Sequence, residues 1–425
     1  MNFAKKEILK NKHLGTCFLI MNEKRLISTG TFNYSVGKQN TILLVLCFAI
    51  HYLIFFFIPH LYPKHVFFNY ELVPPGKILG MDYIETLKIG KEPLAIAYSP
   101  FADIFFTMLS ELPFTQGFLF ITLIILGSLF ISQFLILKTF LLKNLNPMYY
   151  FILLFFSLTS YPFMFEIERG QWNIISIALI VAAVYFVNKY WYLPAAICIA
   201  FATSLKIFPL IFASLILIFR PNFKHFISFT LITGASLVFF FFVKGISYFK
   251  WFTRWLSHYS DIKGTWIGNH SIKSFVLQTQ QEWLSTFLLV LVILIFLIGC
   301  YLAFNQQKSD FSLHFLSILC IISCAIPNVS HDYKISILIL FVPLMISKRI
   351  NTIGYGLAES IVLFSIVFLY IFLLTPYSAT FYLAKTWLNC KLPALLLLSI
   401  FLLIDGYLMF KQAKSQNVDY QKLNL

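Results

Sequence analysis

Five short polar runs interrupt an otherwise apolar chain, and their residue types are those that handle charge. The run Ser330-His331-Asp332-Tyr333-Lys334 sets five polar or semi-polar groups side by side. Such density is costly next to hydrocarbon and points to a site. The run 166–173, EIERGQWN, offers Glu166, Glu168, Arg169, Gln171 and Asn173. Lys206 stands alone in TSLKIFPLIF, and Asn269, His270 and Ser271 sit in GNHSIKSF. Asp82 lies in GMDYIETLKIGKEPL, ahead of the turn formers Gly90 and Pro93. A carboxylate near apolar walls can serve as a general base. Lys206, Lys334 and Arg169 are the cations that could replace water around a phosphate. The bland readings are a solvated loop acid for Asp82, helix capping for Asn173 and snorkelling for Lys206. The order and spacing around Ser330 and His331 give no hydrolase triad, because no G-x-S-x-G elbow exists. No G-x-x-x-x-G-K-[ST] or G-x-G-x-x-G run occurs either, so neither ATP-driven transport nor a nucleotide substrate has support.

These groups must be positioned by an unusual chain. It has 425 residues, 59% hydrophobic and 12% charged, with 50 Phe. A soluble domain carries roughly 25% charged residues, so this chain cannot cover a water-facing surface. The reading is an all-α polytopic membrane protein. Soluble-enzyme, disordered and secreted-scaffold classes are excluded. The net charge of +15 then reflects Lys and Arg in cytoplasmic loops rather than nucleic-acid binding. Of seven Cys, those at 47, 198, 300, 320 and 324 fall in apolar runs and read as small core residues.

About 20 apolar residues span a bilayer. Twelve spans are expected, at 41–59, 115–137, 147–165, 174–188, 191–204, 206–219, 226–243, 284–304, 311–326, 335–347, 355–377 and 393–410. The first would act as a signal anchor, with no cleavable signal ahead of it. The stretch 97–112 carries Asp103, Glu111 and two prolines and reads as re-entrant or interfacial. The organisation is a basic cytoplasmic segment 1–40, one transmembrane domain 41–410 and a cytoplasmic tail 411–425. Lys5, Lys6, Lys10, Lys12, Lys24, Arg25 and Lys38 fix the N-terminus inside. The two long loops, 60–96 and 244–283, then lie outside. More than half of the 17 acids fall in outer loops, which places chemistry on the outer face.

Taken in order, the runs resemble glycosyltransferase family 87, in the GT-C superfamily of polytopic membrane glycosyltransferases. The matching features are Asp82, then Gly90, Pro93, Tyr98 and Pro100, then Gly170, Gln171 and Asn173, then Lys206 and Pro209. Asn269, Ser271 and Ile272 follow, and Ser330 to Lys334 close the series. The resemblance implies a GT-C-type bundle of about 12 transmembrane helices with a functional first outer loop. It implies transfer of a hexose, typically mannose, from a polyprenyl-phosphate sugar to a lipid-linked or glycan acceptor on the extracytoplasmic face. The reaction would invert, with Asp82 as general base and no metal or cofactor. Lys206, Lys334 and Arg169 are the expected donor-phosphate ligands. Gln171, Asn173, Asn269, Ser271, His331, Asp332 and Tyr333 are the expected substrate-binding set. The membrane would be the bacterial inner (cytoplasmic) membrane. A transporter or flippase, or a polymerase or ligase of lipid-linked surface polysaccharide, are the competing classes. The site reading requires Asp82, Lys206, Asn269 and His331 to line one cavity.

Overall fold

The computed structural model describes residues 100–140, 147–215, 223–261, 269–305, 311–351, 356–374 and 391–423. Among these residues the chain is helical, with a single isolated bridge between Asn269 and His331 and no strand. Helix α1 spans Pro100–Ser110 and α2 Phe114–Thr139. The buried face of α2 is a stripe at Gly117, Ile121, Ile125, Leu129, Gln133 and Ile136, the i, i+4 spacing of one helix face. Its opposite face exposes Leu119, Phe120, Leu123, Phe130 and Phe134. A helix apolar on both sides needs protein on one side and lipid on the other.

Four described helices are long and apolar enough to cross a membrane: α2, residues Ile227–Lys244 of α7 (Phe223–Lys244), α10 (Trp283–Asn305) and residues Leu392–Gln412 of α14 (Leu392–Leu423). They match the expected spans 115–137, 226–243, 284–304 and 393–410. The expected span 41–59 and the loop after it lie outside the described residues. Shorter apolar helices fill the remaining positions: α5 (Asn173–Asn188), α6 (Tyr192–Leu205), α11 (Ser312–Ala325) and α13 (Leu357–Leu373). Helix α11 is buried along its whole length, so it packs against protein on every side.

Four expected features differ in the structure, each for a local reason. The stretch 147–165 breaks into α3 (Pro147–Leu158) and α4 (Tyr161–Arg169), bent by 46°; the pair could form a fifth, broken span. Pro162 lacks an N–H and cannot continue the ladder. Residues 206–219 do not form one helix. Lys206 is extended, and Phe208–Ser214 is a 3-10 segment that includes Pro209. The run 335–347 divides into a second 3-10 segment, Asp332–Leu340, and α12 (Val342–Asn351), where Pro343 begins a new helix. The long loop 244–283 contains two helices. After Gly245, at φ 87°, α8 runs Ile246–Asp261. Further on, α9 (Ile272–Thr279) starts where the Ser271 hydroxyl accepts the Ser274 N–H.

Helices α11 and α14 pack together, antiparallel, and buried polar groups join them at both ends. At one end Asp405 meets His314 at 2.7 Å and Arg349 of α12 at 2.6 Å. At the other, Asp332 meets Lys391, the residue before α14, at 2.7 Å. Lys391 and Asp405 are ~20 Å apart along a helix rising 1.5 Å per residue. The described cysteines are unpaired, with Cys320 and Cys324 buried and Cys198 and Cys300 half-buried.

Close packing at the Asp405 end yields a stability test. A Cβ on Gly406 would collide with the ring of Phe311, which is buried and stacked on His314. A Cβ on Gly234, inside α7, meets nothing. Gly406→Ala should destabilise by about 1–3 kcal/mol. Gly234→Ala should be neutral or stabilising by up to about 1 kcal/mol. Thermal unfolding of the purified protein in detergent compares the two.

Candidate functional site

The run EIERGQWN folds as a helix end. The last turn of α4 closes through two bonds, Gly170 N–H to Ile167 O at 3.0 Å and Gln171 N–H to Glu166 O at 3.0 Å. This closure places Gly170 at φ 66°, a conformation glycine adopts without steric cost. The chain then turns through Trp172 into α5. The first N–H groups of α5 have no partner within their own helix. Glu166 supplies one: its carboxylate accepts the Ile174 N–H at 2.8 Å and also the Ser336 hydroxyl. One fully buried acid therefore ties α4, α5 and the second 3-10 segment together, with its charge at a helix N-terminus where it is favoured.

Two lysines border this knot. Lys206 ends α6 in extended conformation. Its ammonium donates to the Gln171 carbonyl oxygen at 2.8 Å and stands over the Trp172 ring at 4.6 Å. Lys334 is buried in the second 3-10 segment and stands over the Phe208 ring at 4.6 Å. Lys334 precedes the apolar run that follows it and lies outside the candidate spans. Burial pushes its ammonium down to about 7; the Cys324 thiol opposes that shift and Lys206 adds to it as a like charge. Neutral amide and aromatic surfaces around two mutually repelling cations can receive an anion.

A third group braces the same end. Asn269 donates to Asn328 O at 3.0 Å and accepts the Ser330 N–H at 2.8 Å. The Ser271 hydroxyl donates to the same Asn328 oxygen at 3.0 Å. His270 N–H reaches Ser330 O at 2.7 Å. Beneath this strap, Asp332 Oδ1 lies 2.9 Å from His270 Nε2 and 2.7 Å from Lys391 Nζ. Burial alone would raise the Asp332 carboxyl, but Lys391 and His270 outweigh it and hold it below its ordinary value. Burial lowers the His270 imidazole against the pull of Asp332. An aromatic series, Tyr161–Phe165–Tyr333–His331, leads across the end with centroid spacings of 5.2, 5.7 and 5.2 Å. Arg169 lies over Phe165 at 5.8 Å.

The structure thus brings Arg169, Gln171, Lys206, Asn269, Ser271 and residues 330–334 to one end of the bundle. Their orientations differ. Gln171 contacts a lysine, His331 and Tyr333 are half-buried, and Asn173 is buried at the start of α5. Asn269 and Ser271 bond to main chain of 328–330, and Asp332 turns inward onto Lys391 and His270. Asp82, Gly90, Pro93 and Tyr98 lie outside the described residues. The segment directly after them is placed: Phe106 of α1 packs on Trp172 at 4.2 Å, and Asp103 pairs with Lys244. Glu166, Trp172, Ser336 and Lys391 belong to this end although sequence reasoning did not single out their roles. Lys391, a lone cation directly before the last apolar run, was the signal available in the sequence. Among the described residues no three His, Cys, Asp or Glu side chains gather as metal ligands.

The model of glycosyltransferase family 87 matches residues 96–326, more than half of the chain. The chain belongs to that family, and it is a membrane glycosyltransferase. The matched span contains Arg169, Gln171, Lys206 and Asn269 and stops before the run 330–334. No curated protein and no solved structure matches it.

The depressed Lys334 ammonium predicts a pH dependence. Below about 7 folded and unfolded chains both hold its proton, so the full penalty of burying the charge applies. Between about 7 and the ordinary 10.5, the unfolded chain binds a proton that the folded chain has released. Stability therefore rises with pH across that window. The difference in thermal stability between the wild type and Lys334→Met should narrow steadily from pH 7 to pH 10, as read by unfolding scans in detergent.

Proposed function

With membership of glycosyltransferase family 87 as the premise, we propose that the chain transfers a hexose, mannose in the first instance, from a polyprenyl-phosphate sugar. The acceptor is a lipid-linked or glycan hydroxyl on the extracytoplasmic face. The convergence of Lys206 and Lys334 on one end of an apolar bundle carries this reading. A lipid monophosphate has a compact anionic head and an apolar tail. The two ammoniums answer the first, and the Phe-rich helix faces answer the second. Arg169, at the end of α4, adds a third cation to this end.

In this reading the Asp82 carboxylate takes the proton of the acceptor hydroxyl. The acceptor oxygen attacks the anomeric carbon from the face opposite the phosphate. The bond from that carbon to the phosphate oxygen breaks, and the lipid phosphate leaves with the electron pair. One displacement inverts the anomeric centre. Charge accumulates on the leaving phosphate, where Lys206 and Lys334 stabilise it. Gln171 holds Lys206 in place until the phosphate arrives. His331 and Tyr333, half-buried and in ring contact at the same end, touch the sugar or acceptor. The N-terminus is cytoplasmic, and the membrane is the bacterial inner membrane.

Transfer of labelled mannose from a polyprenyl-phosphate mannose, in membranes holding the full-length chain, tests the reading. Asp82→Asn should insert at wild-type levels and lose transfer by a factor of about 100 or more. Lys206→Ala should raise the donor KM by about 10- to 100-fold, the range of one charge-assisted hydrogen bond. Full activity of Asp82→Asn would remove the general-base role. Turnover only of a diphosphate-linked oligosaccharide would identify a polymerase or ligase instead. Movement of an intact lipid-linked glycan without sugar transfer would identify a flippase.

A further inference from the structure

The buried group His270–Asp332–Lys391 takes no part in the transfer chemistry proposed above, and its charges are almost wholly enclosed. The three side chains are 0 to 1% exposed. Lys391 Nζ meets Asp332 Oδ1 at 2.7 Å, donates to Leu373 O at 3.0 Å and faces the Tyr161 ring at 5.8 Å. His270 Nδ1 accepts the backbone N–H of Lys391 at 2.9 Å. A nitrogen that accepts a hydrogen bond carries no proton, so the imidazole is neutral and its proton is on Nε2, which lies 2.9 Å from Asp332 Oδ1. One carboxylate thus gathers the loop before α9, the start of α14 and the start of the second 3-10 segment, and Lys391 extends the group to the end of α13.

The pair is a poor device for stability alone. Desolvating two ions costs several kcal/mol each, and apolar replacements of buried pairs are often neutral or stabilising. Its effect is directional. Asp332 is the first residue of the 3-10 segment, and the first turn closes through Lys334 N–H to His331 O at 2.9 Å. A 3-10 helix has three residues per turn. Fixing Asp332 inward therefore fixes the azimuth of His331, Tyr333 and Lys334 around the same turn.

We propose that Lys391 and His270 are positioning residues: through Asp332 they set the rotation of the first 3-10 turn, and with it the direction of the Lys334 ammonium over the Phe208 ring. This rests, for the purpose of that direction, on the lysine pair being the anion site. Asp332 acts through its neighbours in the turn and does not contact substrate.

The test uses the full-length protein in detergent, with the single variant Lys391→Met, the double variant Asp332→Asn/Lys391→Met and the control Lys334→Ala. Three quantities are read: thermal unfolding, amide hydrogen exchange over residues 331–336, and affinity for farnesyl phosphate as a short polyprenyl monophosphate. The single variant leaves a buried carboxylate uncompensated and should unfold at lower temperature. The double variant removes both charges and should recover most of that stability. It should nonetheless exchange the Lys334 amide at least tenfold faster than the wild type and bind farnesyl phosphate at least tenfold more weakly, approaching Lys334→Ala. A double variant with wild-type exchange and wild-type affinity would overturn the proposal. Should the wild type and Lys334→Ala bind farnesyl phosphate equally, the lysine-pair reading fails. Faster exchange in the double variant would still support positioning of the turn in that case, and unchanged exchange would overturn it.

Discussion

A charge taken out of water must be answered by another charge or by oriented dipoles, and the polar end of this bundle is built around that constraint. Glu166 is the point where it is met most economically. Its carboxylate accepts from the helix N-terminus that follows it and from a serine hydroxyl on a segment distant in sequence. Without those donors a fully enclosed acid would be strongly disfavoured. With them, the end of α4, the start of α5 and the second 3-10 segment hold one fixed relation. Gln171 and Trp172 lie between these anchored points, so the surfaces that Lys206 touches are themselves fixed.

The two ends of the bundle handle charge differently. At the Asp405 end one carboxylate is shared between a histidine and an arginine, and the cluster is closed. At the opposite end Asp332 is closed in the same way by Lys391 and His270, but Lys206 and Lys334 are held by neutral groups as well as by the field of nearby charges. Closed clusters fix helices. Cations facing amide and aromatic surfaces retain capacity for an incoming anion. The 3-10 segments at 208–214 and 332–340 are where the backbone departs from α-helix.

Long apolar runs made α2, α7, α10 and α14 legible in the sequence, because a lipid-facing helix needs little beyond length and apolarity. The short runs were misjudged where a single residue decides the path. Pro162 and Pro343 interrupt their ladders, Lys206 adopts an extended backbone, and Gly245 turns the chain from α7 into α8. The grouping of the polar runs at one end was also legible, because polar residues flanking apolar helices collect at their mouths. Their individual orientations were not. Asn269 and Ser271 bond to backbone carbonyl and amide groups of residues 328–330, partners that carry no signature in residue type. Lys391 reads in sequence as one cation before an apolar helix. Only the fold shows that its partner is Asp332.

Lys206 and Lys334 are proposed to receive the phosphate of a lipid-linked donor. An experimental structure of the full-length protein with a polyprenyl monophosphate bound tests it most directly. The phosphate should lie within hydrogen-bond reach of both Nζ atoms, with the Gln171 contact to Lys206 replaced by a phosphate oxygen. A phosphate bound elsewhere, with Lys206 still on Gln171 and Lys334 still over Phe208, would contradict it.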